Sequence, residues 1–147
     1  MRKLIFALII ILGSYGCKSQ KASESSGSVS IEGAWKMIYA EVKENDSIKR
    51  KELSNTTFIK LIGKNHFAFF NQENAGPNNF YSGGGTYSLK DNNYTEILKF
   101  SANTAIRNHT FSFTVQISGD TLIQSGVEKI SAANIDREII EKYIKLK

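Results

Sequence analysis

After residue 30, apolar and polar residues alternate in short stretches separated by turn residues, and that period of two predicts β-strands rather than helices. In IEGAWKMIYAEVKEN, Trp35, Met37 and Tyr39 share one face while Lys36 and Ile38 take the other, and Asn45 and Asp46 close the strand. TTFIKLIG and HFAFFNQ, joined at Lys64 and Asn65, predict a hairpin. ENAGPNN, which holds the only proline, reads as a loop. Beyond it GGGTYSLK and NNYTEILKFS, joined across Lys90, Asp91, Asn92 and Asn93, predict a second hairpin. SANTAIRNH has little alternation and reads as a loop or a short helical turn. TFSFTVQIS sets Phe111, Phe113, Val115 and Ile117 on one face, then turns at Gly119 and Asp120 into TLIQSGVEKI, the third hairpin.

The tail NIDREIIEKYIKLK fits two periods. Ile135, Ile139, Tyr143 and Leu146 make a helical stripe, whereas Arg137, Ile139, Glu141 and Tyr143 share one face of a strand. A closing strand is the reading adopted. Antiparallel strands numbering about seven or eight, hairpin-linked in order, give an all-β fold, either an up-and-down barrel or a sandwich. Closure into a barrel removes exposed edges, and about eight strands leave an interior that side chains fill or that holds one small ligand.

The run Gly83, Gly84, Gly85 poses a choice between a phosphate cradle and a strand device. A phosphate loop needs glycines leading into a helix, ending in Gly-Lys-Ser/Thr; here Gly85 leads into Thr86 and Tyr87 of a strand, with no lysine in place. Nucleotide binding is therefore not expected. The glycines are expected to let the strand curve or bulge at a barrel rim, between Tyr81 and Tyr87 at the mouth of a pocket.

The N-terminus changes the picture of where the protein works. MRKLIFALIIILGSYGC has two positive charges, an apolar run from Leu4 to Leu12 and small residues before a cysteine, the layout of a secretory signal peptide. The run falls short of the roughly 20 residues of a permanent span. Cys17 is the only cysteine, and its position after Gly16 resembles the lipobox of bacterial lipoproteins, with Ser14 departing from the usual leucine. That resemblance implies cleavage after residue 16, a lipid on Cys17 and a flexible Ser-rich tether over 17–30. Two or three acyl chains, at about 0.8 kcal/mol per buried CH₂, would hold such a protein on a membrane. The folded domain is expected over 31–147.

Composition adds limits. The 147 residues, 41% hydrophobic and 11% aromatic, suit one ordinary folded domain. Without Arg2 and Lys3 the chain carries 17 basic and 14 acidic residues, a formal charge of +3 spread without a stripe, so no nucleic-acid surface is indicated. His66 and His109 are the only histidines and are not at metal-ligand spacing, so no metal site and no cofactor are expected; His66, beside FAFF, is the better acid–base candidate. Glu96 and Glu141 are expected to face solvent, because charged residues are rarely buried unpaired. No serine sits in a nucleophile-elbow context, and an enzyme ranks last among the readings.

GAW at 33–35 resembles the Gly-x-Trp signature of lipocalins, in which the tryptophan packs across the closed end of the barrel. With HFAFF at 66–70, GGGTYSL at 83–89, YTE at 94–96, Gly-Asp-Thr-Leu at 119–122 and the terminal EKYIKLK, the chain is similar to a family of lipocalin-like, calycin-type lipoproteins of Gram-negative bacteria. The last strand of that family often ends in Glu-x-Trp-x-Arg, where this chain has Glu141, Tyr143 and Lys145. In lipocalins a basic side chain of the last strand commonly covers the first-strand tryptophan, and a lysine is expected to do so less well than a planar arginine. The resemblance implies a lipocalin-like barrel in the cell envelope, bound to the membrane by its lipid and holding a small apolar or amphiphilic molecule. A pocket of that kind is mostly apolar with a few placed polar groups, and Trp35, Tyr87, Tyr94 and Glu96 are its expected ligand-binding residues. The alternative is a barrel filled by its own aromatics that acts on an envelope protein partner.

Overall fold

The alternation of the strand His109–Ser118, in which Phe111, Phe113 and Val115 are buried and Ser112, Thr114 and Gln116 are exposed, is the rule on which the molecule is built. The computed structural model describes residues 30–74 and 80–147. The expected signal peptide, Cys17 and most of the tether lie outside them, as does the proline loop. The described residues form nine strands: β1 (Gly33–Glu44), β2 (Ser47–Arg50), β3 (Thr56–Ile62), β4 (His66–Glu73), β5 (Phe80–Lys90), β6 (Asn93–Ser101), β7 (His109–Ser118), β8 (Thr121–Ile130) and β9 (Ile135–Lys145). Two 3₁₀ turns, Thr104–Ile106 and Ser131–Ala133, precede β7 and β9.

Neighbours from β3 to β9 pair antiparallel in chain order, and β1 pairs with β3 on one side and β9 on the other, so the sheet closes into an up-and-down barrel of eight strands. The three expected hairpins are β3/β4, β5/β6 and β7/β8. The tail is the closing strand, with Ile139 and Tyr143 buried and Arg137 and Glu141 partly buried on its inner face. Helical spacing loses there because a strand finds backbone partners on both sides, Ile123 against Lys142 and Ala40 against Glu141.

The ninth strand, β2, stands outside the barrel and pairs only with Glu41 to Glu44 of β1. Asn45 and Asp46 end β1 as expected, but both take positive φ, 48° and 58°, the pattern of a tight hairpin turn that sends the chain straight back. All of β2 is exposed, so it carries no burial pattern to read.

The β1 face expected from period two holds only halfway. Trp35 and Met37 point inward, but the pairing with β9 slips between Met37 and Tyr39, leaving Ile38 as an extra residue. The bulge flips the alternation, so that Ala40 is buried and Tyr39 lies outside, where its hydroxyl donates to Glu41 Oε2 at 2.5 Å. A matching slip lies between β5 and β6: Gly84 pairs with Phe100 and Gly85 with Leu98, which leaves Lys99 as the extra residue. The glycines thus serve a bulge, carried on the partner strand, and lie inside β5 instead of at a rim. A side chain at Gly85 would overlap the Ile97 carbonyl oxygen, and one at Gly84 would sit 2.6 Å from the Phe67 carbonyl oxygen.

One end of the barrel is plugged. Trp35, Tyr94, Tyr143, Ile31 and Leu122 are its largest fully buried side chains, and each contributes about 1.5–3 kcal/mol by burial. Trp35 Nε1–H donates to the Ile31 carbonyl at 2.8 Å, so the chain entering β1 folds under the plug. Lys145 Nζ lies 5.3 Å from the Trp35 ring centroid, so the lysine does cover the tryptophan. Gly33, at φ +141°, makes room for it: a Cβ there would be 2.9 Å from Lys145 Cε.

Candidate ligand-binding cavity

Above the plug, inward positions of β3, β6, β8 and β9 place Lys60, Glu96, Gln124 and Glu141 at one level of the barrel. Lys60 is 3% exposed; its Nζ donates to Glu96 Oε2 at 3.1 Å and to Gln124 Oε1 at 2.8 Å. The same ammonium lies 4.8 Å from the Tyr94 ring centroid and 5.3 Å from that of Phe67. Hydrogen bonds on one side and aromatic faces on the other offset the cost of removing this charge from water. Glu141 Oε2 accepts from the Tyr143 hydroxyl at 2.6 Å and from Gln124 Nε2 at 3.4 Å.

This layer is the floor of a cavity of about 420 Å³. Its walls are apolar, with Phe58, Phe69, Leu98, Phe111 and Phe113 from four strands. Phe58 stacks on Phe69 at 5.5 Å and Phe111 on Phe113 at 6.0 Å, so two aromatic pairs line the space. At the open end stand Tyr81, Ile106 and the ion pair between Arg137 Nε and Glu128 Oε2, 2.6 Å apart. The two 3₁₀ turns lie against each other there. An apolar well with a polar floor and a charged rim is compatible with the binding of a small molecule.

Residues 30–147 match a family described as a domain of unknown function, DUF4488. The chain belongs to the DUF4488 family. No curated protein matches it. The DUF4488 match spans the whole barrel, from the residue before Ile31 to the C-terminus.

Within this DUF4488 domain the four residues expected to bind ligand part company. Glu96 lines the cavity. Trp35 and Tyr94 belong to the plug beneath it, and Tyr87 packs on Tyr94 at 5.1 Å while its hydroxyl donates to the Gly63 carbonyl at 2.7 Å. Tyr94 Oη is buried with no hydrogen-bond partner among the described residues, and burial, followed by the Glu96 carboxylate, pushes its hydroxyl far above the ordinary value. Burial likewise raises Tyr143, with Glu141 adding to it, and raises Tyr87.

Glu96 and Glu141 correct the expectation that both face solvent. Glu96 is 8% exposed because a lysine from the opposite wall reaches it. Glu141 is partly buried and lines the cavity. Burial holds its carboxyl above the ordinary 4.5, against the pull of Lys60. Lys60 itself went unpredicted. In TTFIKLIG it shares a face with Phe58 and Ile62, which are buried, but Ile59 and Leu61 make the other face equally apolar, so alternation gives no choice between them. Gln124 and Arg137 left no signal beyond strand period.

The histidines stand apart from the cavity. His66 is exposed, its Nδ1 2.6 Å from Asn65 Oδ1, and His109 packs edge-on against Phe111 at 4.7 Å. Among the described residues no group of three or more His, Cys, Asp or Glu could hold a metal ion. A shallow cleft on the outer wall runs over Gly83, Gly84 and Gly85 between Phe70, Phe80 and Phe100.

Proposed function

We propose that this domain is a lipocalin-like carrier that holds one small amphiphilic molecule, anchored in the cell envelope by a lipid on Cys17. The cavity carries the reading: about 420 Å³ open at one end, whose aromatic walls suit an apolar body and whose Lys60–Glu96–Gln124–Glu141 layer suits one polar end. Kinship with lipocalins is supported by a barrel plugged at one end by the tryptophan of Gly33-Ala34-Trp35, with a basic side chain over it.

Two measurements test this. The full chain, purified from envelope membranes, is expected to carry a bound small molecule in native mass spectrometry, one per chain, released on denaturation. Replacing Phe113 by Trp, which fills the well, is expected to remove that mass; an unmodified chain that carries nothing and gains no thermal stability from envelope lipid extract would overturn the carrier reading. Cys17→Ser is expected to move the protein from the membrane to the soluble fraction, and persistence at the membrane would overturn the anchor.

A further inference from the structure

The floor of the cavity has more negative charge than the protein itself neutralises. Among the described residues the lining holds two cations, Lys60 and Arg137, and three carboxylates, Glu96, Glu128 and Glu141. Each cation is already matched: Lys60 with Glu96 at 3.1 Å, Arg137 with Glu128 at 2.6 Å. Glu141 has no cation within ion-pair distance among the described residues. Its hydrogen bonds from Tyr143 and Gln124 both arrive on Oε2, so Oε1 stands without a donor beside the open volume. Two further basic side chains near the rim are tied elsewhere: Lys51 to Asn71 Oδ1 at 2.8 Å and the Tyr81 hydroxyl at 2.9 Å, and Arg107 to the Ser101 carbonyl at 2.8 Å.

A partly buried carboxylate whose second oxygen faces the cavity with no protein donor is better served by a ligand that brings a donor and a positive charge than by water alone. Apart from Tyr94 Oη, the polar side chains of the layer already have hydrogen-bond partners, so the donor to Oε1 comes from water or from the occupant. An ammonium suits best: it supplies both charge and hydrogen bonds to Oε1. A carboxylate or phosphate at that spot would instead meet Glu141 and Glu96 with like charge and find Lys60 spoken for.

Resting on the carrier reading, we propose that the occupant is a cationic amphiphile, an alkyl or aryl amine whose ammonium pairs with Glu141 and whose apolar body lies between the Phe58–Phe69 and Phe111–Phe113 pairs. The full chain, held in phosphatidylcholine vesicles, is dialysed to equilibrium at neutral pH against octylamine, octanol or octanoate, with protein-free vesicles as the reference. Octylamine is expected to bind about tenfold more tightly than octanol, the worth of one charge-assisted hydrogen bond, and octanoate most weakly. Glu141→Gln, which keeps an acceptor for Tyr143, is expected to bring octylamine down to the level of octanol. Octanoate matching or exceeding octylamine, or an amine preference that survives Glu141→Gln, would overturn the amine assignment while leaving the carrier reading intact. Binding of none of the three would overturn both, and the ranking on the unmodified chain decides the matter even if the variant fails to fold.

Discussion

Lys60 Nζ and Glu96 Oε2 lie 3.1 Å apart although β3 and β6 are separated in the sheet by β4 and β5. The contact runs across the interior, so it exists only because the sheet closes. It also fixes the level at which the aromatic plug ends and the cavity begins.

Removing one member of this pair strands the other charge in the barrel. Lys60→Met is expected to cost about 3–5 kcal/mol of stability, and the double variant Lys60→Met, Glu96→Leu to recover most of it. Urea denaturation of the single and double variants measures the coupling; equal losses that simply add would contradict a mutually dependent pair.

Gly85 is pressed against the Ile97 carbonyl where β6 bulges at Lys99. A methyl group there meets backbone that cannot turn aside, and Gly85→Ala is expected to destabilise by about 2 kcal/mol or more. At Gly83 the obstacle is the ring of Phe69, at the cavity wall and free to shift, so Gly83→Ala is expected to cost less. Thermal melts of the two variants give the order; the reverse order would contradict the bulge as the reason for the glycines.

The Glu141 carboxyl is held above 4.5 chiefly by burial, with Lys60 opposing and Glu128 and Glu96 adding to the rise. A native pKa above the unfolded value means the folded chain binds the extra proton. Stability from this group is thus full below about pH 4.5 and is lost as pH rises through the native pKa. Glu141→Gln is expected to flatten that decline and to be the more stable form at neutral pH. Denaturation midpoints measured across the acidic to neutral range test it, and parallel profiles for the two proteins would count against a buried, unpaired carboxyl.

Lys145 reaches Trp35 over Gly33, whose positive φ disfavours any side chain. Gly33→Ala is expected to cost about 1–3 kcal/mol through backbone strain and displacement of the lysine. Trp35 fluorescence reports it: a red shift and easier quenching mark the loss of cover, and an unchanged spectrum with unchanged stability would contradict the packing described.

Much of the fold was legible. The three hairpins followed from alternation bounded by Asn, Asp and Gly, and Phe111, Phe113 and Val115 were correctly set inside, because period two with one apolar face leaves a single solution. Gly33-Ala34-Trp35 led correctly to a plugged end. The face of β1 beyond Met37 was misread because a bulge at Ile38 shifts the period without a marker in the residues. Strand β2 was missed because nothing in Ser-Ile-Lys-Arg is buried. In the cavity Glu96 was picked out as a ligand contact and Tyr81 as part of the mouth, but both glutamates were expected outside, since a carboxylate on a strand looks solvated until a lysine 36 residues away is known to face it.

The sequence by itself determined the strands, their order and the all-β class, because alternation and turn chemistry are local properties, each readable within ten residues or so. Only the tertiary structure decided what the interior is. Whether an eight-stranded barrel is filled or hollow depends on the sum of side chains from every strand at each level. Here Trp35, Tyr94, Tyr143 and Leu122 fill one end, while paired rings at the other stack along the walls and leave the centre open. That balance, and the unmatched carboxylate of Glu141 at its boundary, arise from contacts between strands distant in the chain, which no local pattern encodes.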